Sequence, residues 1–69
     1  MKLQWEEGFQ INLAIQDTTV TISANREGLL SLANHLIALA KEDVGSHIHL
    51  DEHNALEDGS VDLILEKSE

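Results

Sequence analysis

The chain of 69 residues contains no cysteine and no proline, and Trp5 and Phe9 are its only residues of the Phe, Trp and Tyr type. Without cysteine it has no disulfide bond, no thiolate nucleophile and no cysteine-ligated zinc. No apolar run approaches the roughly 20 residues that span a bilayer, and no secretory leader precedes the first strand-like segment. We therefore expect one small cytoplasmic domain with a modest core.

Basic residues are also scarce. Four Lys and Arg residues stand against thirteen Asp and Glu residues, so the formal net charge is −9. Phosphate groups would be repelled by such a surface, which argues against nucleic acids and anionic membranes as partners. A basic protein would be attracted and steered towards it, although excess charge also serves solubility alone.

Two segments near the start of the chain alternate between apolar and polar residues, which is typical of half-buried strands. They run from Phe9 to Ile15 and from Thr18 to Ala24. If residues 17 and 18 form the turn, Leu13 lies opposite Ile22, and the apolar side chains of both strands share one face. The pattern therefore predicts a β-hairpin with this register.

An amphipathic helix is predicted over residues 25–42. Asn25 or Ser23 is its expected N-cap, and Gly45 is expected in the left-handed conformation after its end. Apolar residues with helical spacing predict the face that packs on the sheet. That face consists of Leu29, Leu32, Ala33, Leu36, Ile37 and Ala40. His35 falls at the polar edge, and its interpretation is structural or solvent-facing.

Alternation returns at 47–51 and at 61–66, and the connection between them contains the turn signal Asp58-Gly59 and the apolar anchor Leu56. The order ββαββ predicts an α+β two-layer sandwich in a single domain of residues 1–69. One helix would cover one face of a four-stranded, largely antiparallel sheet. The predicted core comprises Phe9, Ile11, Leu13, Ile15, Val20, Ile22, Leu29, Leu32, Ala33, Leu36, Ile37, Ile48, Leu50, Leu63 and Leu65.

Four residues with metal-ligating side chains have odd numbers, so a straight strand would point them to the same side. They are His47, His49, Asp51 and His53. A His-x-His pair on a strand can converge on one metal ion. The alternative interpretation is an ordinary solvated sheet face, and we expect no resident metal or cofactor.

Catalytic patterns are missing from the sequence. The serines have no elbow or triad context, the four glycines stand singly, and the paired carboxylates are adjacent and would point apart on a strand. We therefore expect a binding protein rather than an enzyme.

The predicted partner surface has two parts. The first is the acidic loop between the last two strands, with Glu52, Glu57 and Asp58. The second is the sheet face that a single helix leaves uncovered. Its residues are Asn12, Thr21, His47, His49, Asp62 and Ile64.

Three segments resemble a known family: TISANREGLLSLANHLIALA (21–40), HIHLDE (47–52) and DGSVDLILEK (58–67). The strand that ends in Ser-Ala-Asn, the Glu-Gly pair before a Leu/Ala-rich helix, the histidine-containing strand and the Gly-Ser-led last strand are similar to the Imm32-type immunity proteins of bacterial polymorphic toxin systems. The resemblance covers about two thirds of the chain.

The resemblance implies a non-enzymatic protein that binds and neutralises a cognate toxin, often encoded by a neighbouring gene. The acidity of the chain favours a basic toxin such as a nuclease. The alternative is a small domain of another role that self-associates through an edge strand, as a homodimer, or binds metal through His47 and His49.

Overall fold

The computed structural model of the chain describes all of residues 1–69. Its elements are strands β1 (Ile11–Gln16) and β2 (Thr19–Ala24), helix α1 (Arg26–Ala40), and strands β3 (His47–Leu50) and β4 (Leu63–Glu66). The predicted α+β class and the order ββαββ are confirmed. The helix is neither long enough nor apolar enough to cross a membrane.

The β1–β2 hairpin has the predicted register. Leu13 lies opposite Ile22, and Gln16 lies opposite Thr19, which leaves two turn residues. The first of them, Asp17, has a φ of 56°, a left-handed conformation that Asp tolerates better than most residues. The apolar residues of both strands consequently lie on one side of the hairpin.

The prediction of a single four-stranded sheet is wrong. The structure has two separate antiparallel pairs, β1 with β2 and β3 with β4. The free edge of β1 is occupied by the loop before β4, through Glu57 N–H to the Ile11 carbonyl (2.8 Å) and Val61 N–H to the Leu13 carbonyl (3.0 Å). Between these bonds the Ser60 hydroxyl accepts the Leu13 N–H, at 3.1 Å. At this point the Ser60 side chain takes the place that a backbone carbonyl would have in a sheet, so no regular ladder of backbone hydrogen bonds joins the two sheets.

Asn25 joins the start of the helix to the segment before β1. Its Oδ1 accepts hydrogen bonds from Gly28 N–H (2.8 Å), as an N-cap does, and from Gln10 N–H (3.0 Å). Its Nδ2 donates to the Gly8 carbonyl at 2.9 Å, and its backbone N–H donates to the Gln10 carbonyl at 3.1 Å. The predicted cap is confirmed, and it holds the helix start and the segment before β1 together.

The helix ends at Ala40, two residues earlier than predicted. The Lys41 and Glu42 N–H groups bond to the carbonyls of Ala38 and Leu39, three residues earlier in the chain rather than the four of an α-helix. The side chain of Lys67 caps this end. Its Nζ donates to the Ala40 and Glu42 carbonyls at 2.8 and 2.7 Å, where the negative end of the helix dipole favours a cation. Gly45 follows with a φ of 93°, as predicted.

The prediction of which face of α1 is buried is wrong for most of the residues named. The helix buries Gly28, Ser31, Leu32, His35 and Leu39, whereas Leu29, Ala33, Leu36, Ile37 and Ala40 are exposed. Residues 1–10 form no strand, and they contact the polar flank of the helix, where Glu6 N–H donates to the Ser31 hydroxyl at 2.8 Å. The helix is therefore rotated relative to the orientation that its apolar spacing predicts.

The core that results is smaller than the predicted one. Its seven buried apolar residues are Ile11, Leu13, Leu32, Leu39, Ile48, Leu50 and Leu56. Leu56 is the expected loop anchor, and Phe9, Leu63 and Leu65 pack against the cluster as partly buried residues. The hairpin residues Ile15, Val20 and Ile22 are exposed, contrary to the prediction.

Gly28 sets the distance between the helix and the hairpin. A Cβ atom at this position would lie 2.5 Å from the Gln10 carbonyl oxygen, 2.9 Å from Ile11 Cγ1 and 3.0 Å from Ala24 Cβ. The nearest of these atoms belongs to the backbone, so it cannot rotate away. Only glycine permits this approach.

We expect Gly28→Ala to destabilise the fold, although alanine is the better helix former. Overpacking costs about 1–3 kcal/mol, which outweighs the gain of about 1 kcal/mol in helix propensity. The free energy of unfolding from urea titration measures the net effect. A variant more stable than the wild type would contradict the close contact.

Candidate functional site

The acidic loop, residues 52–60, is a folded segment rather than an open connection. The Asp51 carbonyl accepts hydrogen bonds from the N–H groups of residues 54, 55 and 56, and Leu56 is buried beneath the loop. The Glu52 carboxylate accepts the Gly59 N–H at 2.9 Å and so closes the loop. The loop therefore presents its remaining carboxylates from a fixed backbone.

Glu57 and Asp58 are the two carboxylates of this loop that make no bond within the chain. Both residues are exposed, and neither side chain makes a hydrogen bond or an ion pair. Glu52, by contrast, supports the loop itself and has the His53 ring 3.8 Å away. The three predicted acidic residues thus lie together but have different roles.

A second group of polar side chains lies where β3 leads into the loop. His49 Nε2 is 3.2 Å from Asp62 Oδ2 and 3.8 Å from Asp51 Oδ2, and the three ligand atoms lie within 4.8 Å of one another. The other carboxylate oxygen of Asp51 accepts the His53 N–H, at 2.8 Å. This histidine–aspartate cluster has one imidazole and two carboxylates, a donor set that suits a divalent transition metal.

The other predicted site residues are distributed around the molecule. His47 lies opposite Glu66, and the exposed Ile64 lies opposite His49, so both are on the β3–β4 pair. Asn12 donates to the Ser60 hydroxyl at 3.3 Å, next to the acidic loop. Thr21 is on β2 in the other sheet. The predicted open face is therefore divided between two sheets, and His47 and His53 lie outside the histidine–aspartate cluster.

His35, which the helical pattern predicts at the polar edge of the helix, is a buried residue. It is fully buried, and neither ring nitrogen has a hydrogen-bond partner. The Trp5 ring meets it edge-on, with 4.1 Å between the centroids, and Trp5 also packs 4.5 Å from Phe9. Ser31 and His35 are one helical turn apart, a spacing that indicates a polar stripe under the N-terminal segment.

Burial lowers the pKa of His35 below its ordinary value of 6.5, because the charged imidazolium loses its hydration. The Gln4 backbone opposes this shift and is the weaker influence. The folded chain thus takes up the His35 proton at a lower pH than the unfolded chain does. The neutral ring favours the folded state above pH 6.5, and this contribution is lost as the pH falls towards the folded pKa.

We expect the stability of the wild type to fall between about pH 7.5 and 5.5 more steeply than that of His35→Leu, which has no proton to take up there. Chemical unfolding at a series of pH values measures the difference. His53→Gln is the matched control, because it removes an exposed histidine and should keep the steep dependence. Parallel curves for the wild type and His35→Leu would contradict the assignment.

Comparison with known proteins identifies one family. The model of the family described as Immunity protein 32 matches residues 19–68, which include β2, the helix, both later strands and the acidic loop. No curated protein and no solved structure matches the chain. The match covers more than half of the chain and agrees with the resemblance of its sequence segments. The chain therefore belongs to the immunity protein 32 family.

Proposed function

We propose that this chain binds a cognate bacterial protein toxin in the cytoplasm and blocks it by occupying a functional surface, without catalysis. The observation that carries the proposal is the family match over residues 19–68. An immunity protein acts by stoichiometric binding, so the relevant features are the surfaces that the fold presents. The toxin would be part of a polymorphic toxin system.

The distribution of charge supports a basic toxin. Between Thr18 and Ala40 the only charged residues are Arg26 and Glu27, whose side chains lie 3.5 Å apart. The remaining residues therefore carry the whole net charge of −9. A nuclease toxin needs a cationic surface for phosphate groups, and an acidic protein can compete for that surface.

We propose the acidic loop and the adjoining β3–β4 surface as the docking region. Glu57 and Asp58 are exposed and uncommitted, and His49, Asp62 and Ile64 present a mixed polar and apolar surface beside the same loop. The backbone bonds of the loop to β1 keep this region ordered before binding. A preorganised surface loses little conformational entropy when a partner binds.

Co-expression with the toxin domain encoded by the neighbouring gene tests the function. The chain should restore growth to cells that produce this toxin and should co-purify with it as a stoichiometric complex. Growth arrest that persists although the folded chain is present would contradict the immunity role.

The purified pair then tests the docking region. Glu57→Gln combined with Asp58→Asn should slow association severalfold at low salt and weaken its salt dependence, because electrostatic steering is reduced. Glu52 is left intact because its carboxylate closes the loop.

Asp43→Asn combined with Glu69→Gln is the matched control for these association rates. It also removes two charges. Asp43, however, follows the C-terminal end of the helix, whereas the acidic loop bonds to β1 near the start of the helix. Equal rates for the two double variants would assign any effect to net charge and reject the loop as the docking region.

The histidine–aspartate cluster favours divalent-cation binding as a second candidate function. If His49, Asp51 and Asp62 are the ligands, zinc should bind one ion per chain in calorimetric titration. His49→Gln should abolish binding, and His47→Gln, on the same strand, should retain it. Absent binding, or equal loss in both variants, would reject the cluster as a metal site.

A further inference from the structure

The hairpin and the helix leave a large apolar surface without cover. It is made of side chains that sequence periodicity assigns to the core but that are 44–60 % exposed. These residues, here called the neutral face, are Ile15, Val20, Ile22, Leu29 and Leu36. Apolar side chains that a protein leaves exposed in one patch commonly mark an interaction site.

The two parts of the neutral face border the same core. Ala24 and Ile11 approach the helix at Gly28, so the alternate residues of the hairpin, Val20 and Ile22 among them, lie on the helix side of their sheet. Leu29 and Leu36 flank the buried stripe of the helix, two turns apart. Hairpin and helix thus present their apolar residues around one edge of the domain.

That edge is strand β2, which is unprotected. β2 pairs with β1 on one side only. No loop, cap or side-chain hydrogen bond involves residues 19–23, so the outward N–H and C=O groups of these residues have no partner in the chain. Its sequence TVTISA contains no charge and no proline, and β-branched residues favour the extended conformation. Natural proteins protect free edges with charges, prolines or bulges unless the edge is paired.

The distribution of charge indicates which kind of partner the neutral face can bind. A basic toxin would be attracted to the acidic part of the chain, whereas residues 18–40 carry no net charge. A second copy of the chain suits such a face, because residues 18–40 of two copies that meet there bring no net charge together, and Asp17 in the hairpin turn is the one carboxylate at the border. Two-fold symmetry also makes any antiparallel edge complementary to itself.

We propose that this chain is a homodimer in which β2 pairs antiparallel with β2 of a second copy. The paired hairpins form one four-stranded sheet, and a two-fold axis perpendicular to it keeps both helices on the same side. The exposed apolar side chains of the neutral face flank the paired strands on both copies, as the apolar centre of a specific interface requires. The dimer does not depend on the immunity role.

The oligomeric state in solution tests this proposal. Sedimentation velocity between about 1 and 200 µM should give the mass of two 7.6 kDa chains at the upper concentrations. Val20→Lys should weaken association at least tenfold, because it buries a charge at the centre of the interface. Leu36→Lys should also weaken association, and because Leu36 is on the helix this change leaves strand β2 itself unaltered.

Ile64→Lys is the matched control. Ile64 is a strand residue as exposed as Val20, at 61 % against 60 %, but it lies on β4, outside the neutral face. This variant should remain a dimer, and circular dichroism should show all three variants folded. A monomeric wild type over the whole range would overturn the proposal. Dissociation by Ile64→Lys, or a dimer that persists in both Val20→Lys and Leu36→Lys, would also overturn it.

Discussion

The approach of helix α1 to the β1–β2 hairpin at Gly28 is the constraint on which the rest of the structure depends. The absence of a Cβ atom lets the helix start against the Gln10 backbone, and the bonds of Asn25 fix it there. Ser31 and His35 then face inward beneath Trp5 and the N-terminal segment. Larger apolar residues such as Leu36 are turned outward. One close contact thus explains both the small core and the exposed apolar surface.

Local rules predict a good part of this fold from the sequence. The hairpin register follows from alternation, since a shift of one residue would separate the apolar sets of its strands. The N-cap at Asn25 and the left-handed Gly45 follow from backbone chemistry that acts within a few residues. The helix rotation and the sheet division do not, because they depend on contacts distant in sequence. Ser60 occupies the edge of β1, and residues 1–10 cover the polar flank of the helix.

The candidate sites show the same division. Parity on β3 places His49 and Asp51 on one side, as the sequence predicts, but Asp62 joins them from the far end of the loop. Likewise, the acidic residues of the loop are visible in the sequence. Only the fold separates Glu52, which holds the loop closed, from Glu57 and Asp58, whose carboxylates make no bond within the chain. The neutral face cannot be read from periodicity, because periodicity assigns those residues to the interior.

We propose two separate binding surfaces: the acidic loop receives the toxin, and the neutral face receives a second copy of the chain. Amide hydrogen exchange tests it most directly, measured at low and high chain concentration and then with saturating toxin. We expect the β2 amides to exchange more slowly as the chain concentration rises, and the amides of residues 52–60 to exchange more slowly only when the toxin is added. Protection of β2 that requires the toxin, with none from raised concentration, would contradict this division.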